Sequence, residues 1–278
     1  MEKSKLFKMF VMVMAIVVLS AGAVFADDID YIVEVKFLLD SSKVLDGENQ
    51  LNKDLQDIFA VEKTNNRVVL YVDNPERVFN NGGWTNRIRE KEGKKNIEIT
   101  YKKRYAVKDG DISTAIEQAI KDDPIITDGR FEAEVDWSYD KMTLSFSSET
   151  KISKPEGGLK GMSQEDLVGN LLENMPKDEG GWMFAKLHSK NIPEARIAGP
   201  VDYVRYTGSY KEVEIDIEVW KVPEKGSGFS YVTELSFEGD SLEDAAPLRE
   251  EVMNLLDEQG ILVHESSLKT NMILDAYL

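Results

Sequence analysis

The sequence predicts an α+β fold in which antiparallel strands close into a barrel and helices pack outside it. Short runs of alternating apolar and polar residues recur along the chain, and turn residues separate most of them. Runs with helical spacing interrupt these strands irregularly, which argues against a regular alternation of strand and helix. Many antiparallel strands in one chain are typical of a closed barrel, because closure removes the unpaired edges. A chain of 278 residues has ample core for it.

The first 26 residues are set apart from this fold because they have the features of a secretory signal peptide. Three lysines precede an apolar run from Met9 to Leu19, and small residues follow as far as Ala26. The apolar run is too short to favour a transmembrane helix. We therefore expect an exported protein, periplasmic or extracellular, without stable membrane insertion after cleavage. Residues 27–278 are expected to form one domain.

Composition limits the chemistry. The chain has no cysteine and two histidines, which excludes thiolate zinc sites, thiol catalysis and histidine-rich metal sites. Any metal must be held by oxygen, which favours magnesium, manganese or calcium. With 34 basic and 51 acidic residues the formal net charge is −17, which argues against a nucleic-acid partner.

Periodicity and turn residues predict the elements in order. Strands are predicted at residues 29–39, 67–73, 86–90, 96–105, 130–137, 141–147, 201–207, 211–220, 229–237, 261–265 and 271–278. Helices are predicted at residues 45–61, 111–121, 163–175, 182–190 and 242–258. Residues 148–162 are rich in Ser, Lys and Gly and are predicted to be a linker. A helical insertion is expected around residues 150–200.

The hairpin at residues 84–105 is the first candidate binding surface. Side chains alternate between the two faces of a strand, so Arg87 and Arg89 share one face. On the next strand Lys102 and Arg104 share a face with Glu98 and Thr100. A row of cations would suit a polyanion. The alternative is a solvated face of the sheet, because the apolar residues between the cations do not decide which face is buried.

Six short motifs occur in an order that resembles the CYTH, or triphosphate tunnel metalloenzyme, superfamily. They are Ile32-Val33-Glu34-Val35-Lys36, Tyr71-Val72-Asp73-Asn74-Pro75, Arg87-Ile88-Arg89, Thr100-Tyr101-Lys102, Glu132-Ala133-Glu134 and Thr233-Glu234-Leu235-Ser236. Arg205 and Lys269 fall where the later strands and the closing segment would be. The resemblance spans most of residues 29–273.

The resemblance implies an eight-stranded antiparallel tunnel that binds triphosphate. The implied phosphate-binding residues are Lys36, Arg87, Arg89, Lys102, Arg205 and Lys269. The implied ligands of Mg²⁺ or Mn²⁺ are Glu34, Glu132, Glu134 and Glu234. An enzyme of this kind would be a metal-dependent triphosphatase, a hydrolase acting on the phosphoanhydride bonds of inorganic tri- or polyphosphate. No residue is assigned a catalytic role.

Two positions depart from the pattern. The family's first-strand signature is Glu-x-Glu-x-Lys, and Ile32 stands where its first glutamate is expected. Ser236 stands where a second acidic residue is common. The loss of a ligand lowers the expected affinity for a hard cation. The alternative is therefore a non-catalytic polyanion-binding or cell-envelope interaction protein on the same barrel. In that case the carboxylates would simply pair with nearby Arg and Lys.

The remaining residues that stand out in the sequence are predicted to have structural or surface roles. His188 and His264 are each isolated in the sequence, and Trp182, Met183 and Phe184 are expected in the core of the helical insertion. The acidic run at residues 212–218 is expected on an outer solvated face, with a metal role for Glu214 or Asp216 as the alternative.

Overall fold

The computed structural model describes residues 29–127, 129–176, 183–224, 226, 228–266 and 269–278, without the side chains of 183–185. The predicted signal peptide lies outside these residues, as do the predicted core side chains of Trp182, Met183 and Phe184. No helix in the described part of the chain is long and apolar enough to cross a membrane.

The strands form a closed barrel, as predicted, but the number and direction of the strands differ from the prediction. The described strands are β1 (Tyr31–Leu39), β2 (Lys63–Asp73), β3 (Trp84–Lys91), β4 (Asn96–Val107), β5 (Glu132–Trp137), β6 (Met142–Ser153), β7 (Arg196–Tyr210), β8 (Val213–Pro223), β9 (Phe229–Gly239) and β10 (Leu262–Val263). Nine strands close in the order β1-β5-β6-β4-β3-β2-β7-β8-β9, with β9 returning to β1, while β10 pairs with β1 outside the ring.

The predicted eight-stranded antiparallel barrel is therefore corrected to a mixed barrel of nine strands. The parallel pair is β1–β5, in which Ile32 lies opposite Glu134 and Glu34 lies opposite Asp136. A ring with an odd number of strands cannot alternate in direction throughout, so at least one neighbouring pair must be parallel. The parallel pair brings the acidic residues of β1 and β5 side by side.

Eight helices are found within the described residues. They are α1 (Ser41–Val44), α2 (Lys53–Ile58), α3 (Val78–Asn81), α4 (Ile112–Asp122), α5 (Gln164–Glu173), α6 (Met183–Asn191), α7 (Leu242–Glu258) and α8 (Lys269–Tyr277). The predicted capping box of α5 is present, with the Asp166 amide donating to the Ser163 hydroxyl at 3.1 Å. The predicted bounds of α7 are confirmed.

Three local predictions were wrong. The predicted helix at residues 45–61 is reduced to α2, because Asp46 accepts two backbone N–H groups in a turn and Asn52 caps the helix only at Lys53. The predicted strand at residues 271–278 is α8. The predicted linker begins later, because residues 148–153 continue β6 against the first half of β4.

Alternation along the strands separates a polar interior from an apolar exterior. On β1, Val33, Val35 and Phe37 belong to the large core beneath the outer helices, whereas Glu34 and Lys36 point into the barrel. A smaller apolar group lies at one end of the barrel, where Ile273 and Leu274 of α8 pack against side chains of β2, β7 and β8. The rest of the interior is lined mainly by charged and polar side chains, with Tyr71, Tyr203 and Trp220 among them.

Candidate functional site

The barrel encloses a tunnel of about 500 Å³ whose lining is dense in charge. A cavity of this volume is typical of ligand sites. The described lining includes seven cationic side chains, Lys36, Arg87, Arg89, Lys102, Arg104, Arg205 and Lys269. It also includes nine carboxylates, Glu34, Glu134, Asp136, Glu214, Asp216, Glu218, Glu234, Glu238 and Glu265.

Cations dominate the side of the tunnel formed by β3 and β4, which we call the cationic wall (Arg87, Arg89, Lys102 and Arg104). The hairpin register sets Arg87 opposite Thr100 and Arg89 opposite Glu98. This is the alternation that the sequence predicts. All four side chains line the tunnel.

Arg87 and Arg104 make no ion pair among the described residues, and Arg87 alone of this wall has a buried nitrogen without a hydrogen-bond partner. Its Nη2 donates to the Thr100 hydroxyl at 3.2 Å, while its buried Nε has no hydrogen-bond partner. Among the described residues it makes no ion pair. Burial and the neighbouring guanidinium of Arg89 lower the pKa of Arg87. Arg89, by contrast, is held by Glu98 at 2.7 Å.

Three carboxylates lie together across the tunnel, on the adjacent strands β1 and β5. One oxygen each from Glu34, Glu134 and Asp136 lies within 4.8 Å of the others, and we call this group the carboxylate trio. Two lysines lie among them. Lys36 contacts Glu34 at 2.5 Å and pairs with Asp136, and Lys102 contacts Glu134 at 2.6 Å and Asp136 at 3.4 Å.

The pKa shifts in the carboxylate trio follow from burial and from these neighbours. Burial opposes ionisation of Asp136, but Lys102 and Lys36 outweigh it and hold the pKa of that carboxyl well below its ordinary value. Glu134 is affected most by burial, which raises its pKa, and the charges of Glu34 and Asp136 add to the rise. Burial lowers the pKa of Lys36, but Asp136 and Glu34 outweigh it and the net shift is upward.

The carboxylate trio fits a hard divalent cation in ligand type and spacing. Three carboxylates against two ammonium groups leave one net negative charge, and oxygen is the ligand that Mg²⁺ and Mn²⁺ prefer. Both lysines would have to give up part of their contact with the carboxylates for a cation to bind. The donor set therefore fits a metal, with Lys36 and Lys102 as its competitors.

A second ionic group joins β7, β8 and the first residue of α8. Arg205 contacts Glu218 at 2.7 Å and also pairs with Asp216. Lys269 contacts Glu218 at 3.0 Å and Glu234 at 2.7 Å. Burial raises the pKa of Glu218, but Lys269 and Arg205 outweigh it and the net shift is downward. Both cations of this group therefore make ion pairs with carboxylates, whereas Arg87 makes none among the described residues.

The six predicted phosphate-binding residues, Lys36, Arg87, Arg89, Lys102, Arg205 and Lys269, all line the tunnel. Of the four predicted metal ligands, Glu34 and Glu134 belong to the carboxylate trio, whereas Glu234 lies beside Lys269. Glu132 is exposed, opposite Ser147, and is not among the residues that line the tunnel. Ile32 is 39% exposed and does not fill the tunnel.

Sequence reasoning missed several residues of the lining. Asp136 completes the carboxylate trio, and its place two residues after Glu134 on the same strand face was the available signal. Arg104 was recognised as sharing a face with Lys102 but was not assigned to the site. The expectation that residues 212–218 form an outer solvated face was wrong, since Glu214, Asp216 and Glu218 line the tunnel.

The two histidines lie in different surroundings, one buried and one at the surface. His188 is fully buried and its Nε2 lies 3.0 Å from the Asn86 Oδ1. His264 is about half exposed, pairs with Asp257 at 2.8 Å and stacks on Tyr139. His188 and His264 are not among the residues that line the tunnel.

Comparison with solved structures gives the fold. The chain is similar to HpAC1 from Hippeastrum, described as an adenylyl cyclase candidate with a dominant triphosphatase activity, with a TM-score of 0.53 and 17% identity over 88% of this chain and 96% of that one. It is also similar to a candidate adenylate cyclase from Bacillus halodurans, with a TM-score of 0.50 and 16% identity over 87% of this chain and 96% of that one. No protein-family model and no curated protein matches the chain. The resemblance predicted from the motifs is confirmed at the level of the fold, which this chain shares with both proteins.

Proposed function

We propose that the tunnel binds inorganic triphosphate or polyphosphate and that a divalent cation at the carboxylate trio assists its hydrolysis. The observation that carries the proposal is the lack of an ion pair and of an Nε partner at Arg87. A partly buried guanidinium beside a second guanidinium, with a buried Nε that has no partner and no ion pair among the described residues, is costly in the free protein. A multiply charged anion in the tunnel would supply the missing partner.

The cationic wall suits a ligand with several charges in a row. Arg87 and Arg89 lie on the same face of one strand, where alternate residues are spaced by about 7 Å. Arginine offers paired donors to phosphate oxygens, and lysine offers a point charge. A chain of phosphates could therefore contact Arg87, Arg89, Lys102 and Arg104 together, which a single phosphate could not.

The carboxylate trio lies on β1 and β5, which are three or four strands away from β3 and Arg87 in the ring. When bound by Glu34, Glu134 and Asp136, Mg²⁺ or Mn²⁺ would shield phosphate charge and orient an attacking water. Lys36 and Lys102 would then be free to donate to the anion instead of the carboxylates. The triphosphatase activity described for HpAC1, which has the same fold, supports this assignment. The predicted export favours an inorganic anion over cytoplasmic nucleotides.

A second candidate function is anion binding without turnover. The observation that favours it is that Lys36 and Lys102 already neutralise two of the three carboxylates, while Ile32 adds no fourth. The anion would then bind to the cationic wall alone. Its affinity would not depend on a metal.

Phosphate release from tripolyphosphate, with Mn²⁺ or with chelator, separates the two candidates. Hydrolysis predicts metal-dependent release that Glu34→Gln and Arg87→Ala each abolish, while the exposed control Lys63→Ala stays active. Wild-type release no faster than that of the Arg87→Ala/Lys102→Ala double variant would exclude catalysis. Thermal stabilisation by tripolyphosphate in chelator would then support binding alone. With neither release nor stabilisation, both candidates fail.

A further inference from the structure

The segment between β6 and β7 packs on the outer side of the cationic wall. We call its described residues, 154–176 and 183–195, the α5–α6 segment. Glu90 on β3 accepts the Leu159 amide at 2.6 Å and pairs with Lys154 at 3.3 Å. Tyr101 on β4 donates its hydroxyl to the Leu171 carbonyl of α5. Glu90 and Tyr101 lie on the outer faces of the strands whose inner faces carry the cationic wall.

His188 of α6 makes a further contact with these strands, in a fully buried position. It is fully buried among three aromatic rings, stacked on Phe79 at 4.7 Å between ring centroids and edge-on to Trp84 and Tyr101 at 5.2 and 5.6 Å. Its Nε2 lies 3.0 Å from the Oδ1 of Asn86. The position is too enclosed for His188 to act as a surface or tunnel residue.

The hydrogen bonds of Asn86 define the role of the imidazole. Asn86 Nδ2 donates to the Val72 carbonyl on β2, so its Oδ1 is directed to His188, and the imidazole Nε2 must carry the proton and donate. Asn86 directly precedes Arg87, and alternation directs one side chain outward and the next into the tunnel. The contact therefore fixes β3 next to the unpaired guanidinium.

We propose that His188 is a positioning residue: through Asn86 it holds β3 so that Arg87 stays directed at the bound anion. Arg87 and Arg89 are like charges on one face of β3, and their repulsion favours separation of the two guanidinium groups. The contacts of the α5–α6 segment with Glu90, Asn86 and Tyr101 hold β3 and β4 from the outer side, and we call this arrangement the brace. The inference rests on the proposed function, because it is the anion that Arg87 is held to meet.

Two substitutions of His188 test its hydrogen-bond donor and its aromatic ring separately. His188→Phe keeps an aromatic ring in the cage but leaves the buried Asn86 oxygen without its donor, whereas His188→Gln restores a donor and loses the ring. We expect the Kd for tripolyphosphate, measured by calorimetry in chelator, to rise about tenfold in His188→Phe and to stay within about threefold in His188→Gln. Loss of packing alone would instead make His188→Gln the weaker binder.

A double-mutant cycle tests whether the effect passes through Arg87. In an Arg87→Ala background, His188→Phe should weaken binding no further, because the group that it positions has been removed. Val252→Ala is the control for truncation of a buried side chain. Val252 is fully buried in α7, which packs against β1 and β9 on the other side of the barrel, so this variant should leave the Kd unchanged.

Each outcome has a distinct meaning. If wild type binds tripolyphosphate and His188→Phe binds equally well, or if its effect adds fully to that of Arg87→Ala, the positioning role is excluded and the proposed function stands. If Val252→Ala weakens binding as much as His188→Phe, the effect is general destabilisation and the inference is again excluded. If wild type gives no binding heat and no thermal shift, the proposed function fails, and the inference fails with it.

Discussion

Among single residues, the one at position 32 decides whether a fourth carboxylate lies beside the carboxylate trio. Ile32 lies opposite Glu134 in the β1–β5 pairing, on the same strand face as Glu34. A glutamate there would add a fourth oxygen ligand beside the trio. With isoleucine, Lys36 and Lys102 leave only one net negative charge to attract a cation.

Ile32→Glu is therefore expected to tighten Mn²⁺ binding by about tenfold, since both ligand number and negative charge increase. The comparison is Phe229→Glu, which adds the same charge at an exposed position where β9 begins. Calorimetric titration with Mn²⁺ measures both. Equal affinities in Ile32→Glu, Phe229→Glu and wild type would contradict the assignment of the trio as the metal site.

Glu218 provides a second test at the residue scale, through its pKa. Despite burial, Lys269 and Arg205 hold the pKa of Glu218 below its ordinary 4.5, so the folded protein keeps this carboxylate ionised to lower pH than the unfolded chain does. As the pH falls below about 4.5, the unfolded chain binds the proton first and the free energy of unfolding decreases. The stability from Glu218 is complete at neutral pH and is lost in acid.

Glu218→Gln should lower the free energy of unfolding at pH 7 by about 3–5 kcal/mol, because Lys269 and Arg205 each lose a buried partner. It should also flatten the decrease in stability between about pH 5 and pH 3. Urea unfolding across this range measures both effects. A decrease in acid as steep as that of wild type would show that Glu218 is not the group responsible.

At the scale of elements, the hairpin of β3 and β4 was predictable and α8 was not. In the hairpin, two alternating runs flank a turn, and the alternation alone fixes which residues share a face, as the pairing of Arg87 with Thr100 confirms. The last ten residues contain an apolar run too short for periodicity to separate strand from helix. In the structure this run lies in α8, whose Ile273 and Leu274 pack against β2, β7 and β8.

The packing of α8 can be tested by Ile273→Ala. Ile273 is fully buried against the smaller apolar group at one end of the barrel, so its loss should lower the free energy of unfolding by about 2–5 kcal/mol. Phe229→Ala, at a site that is 56% exposed, should change it by less than about 0.5 kcal/mol. Denaturant unfolding gives both values, and similar values would contradict the observed docking of α8.

At the scale of the whole molecule, the sequence predicts a closed barrel but not which face of each strand points inward. Alternation divides Arg87 and Arg89 from Ile88 without assigning either side to the interior. The assignment comes from the helices, which cover the apolar outer face of the barrel and leave the charged residues inside. The ninth strand and the parallel β1–β5 pair depend on long-range closure, which no local pattern specifies.

The same limit explains why the candidate site was only partly predicted. Residues within one motif, such as Arg87 and Arg89 or Glu34 and Lys36, could be grouped because they share one strand. The pairing of Asp136 with Lys36 and of Lys269 with Glu218 joins residues that are far apart in sequence. The brace that His188 forms behind β3 depends on the docking of α6, which the sequence does not reveal.

Arg87 lacks an ion pair in the free tunnel, and a bound polyanion should supply one. The melting temperatures of wild type and of Arg87→Met, each with and without tripolyphosphate in chelator, test this. Wild type should show a ligand-induced rise, whereas Arg87→Met should melt at the same or a higher temperature without ligand and show a clearly smaller rise with it, from the remaining cations. A variant that melts lower than wild type and is stabilised by tripolyphosphate as much as wild type would contradict the role of Arg87.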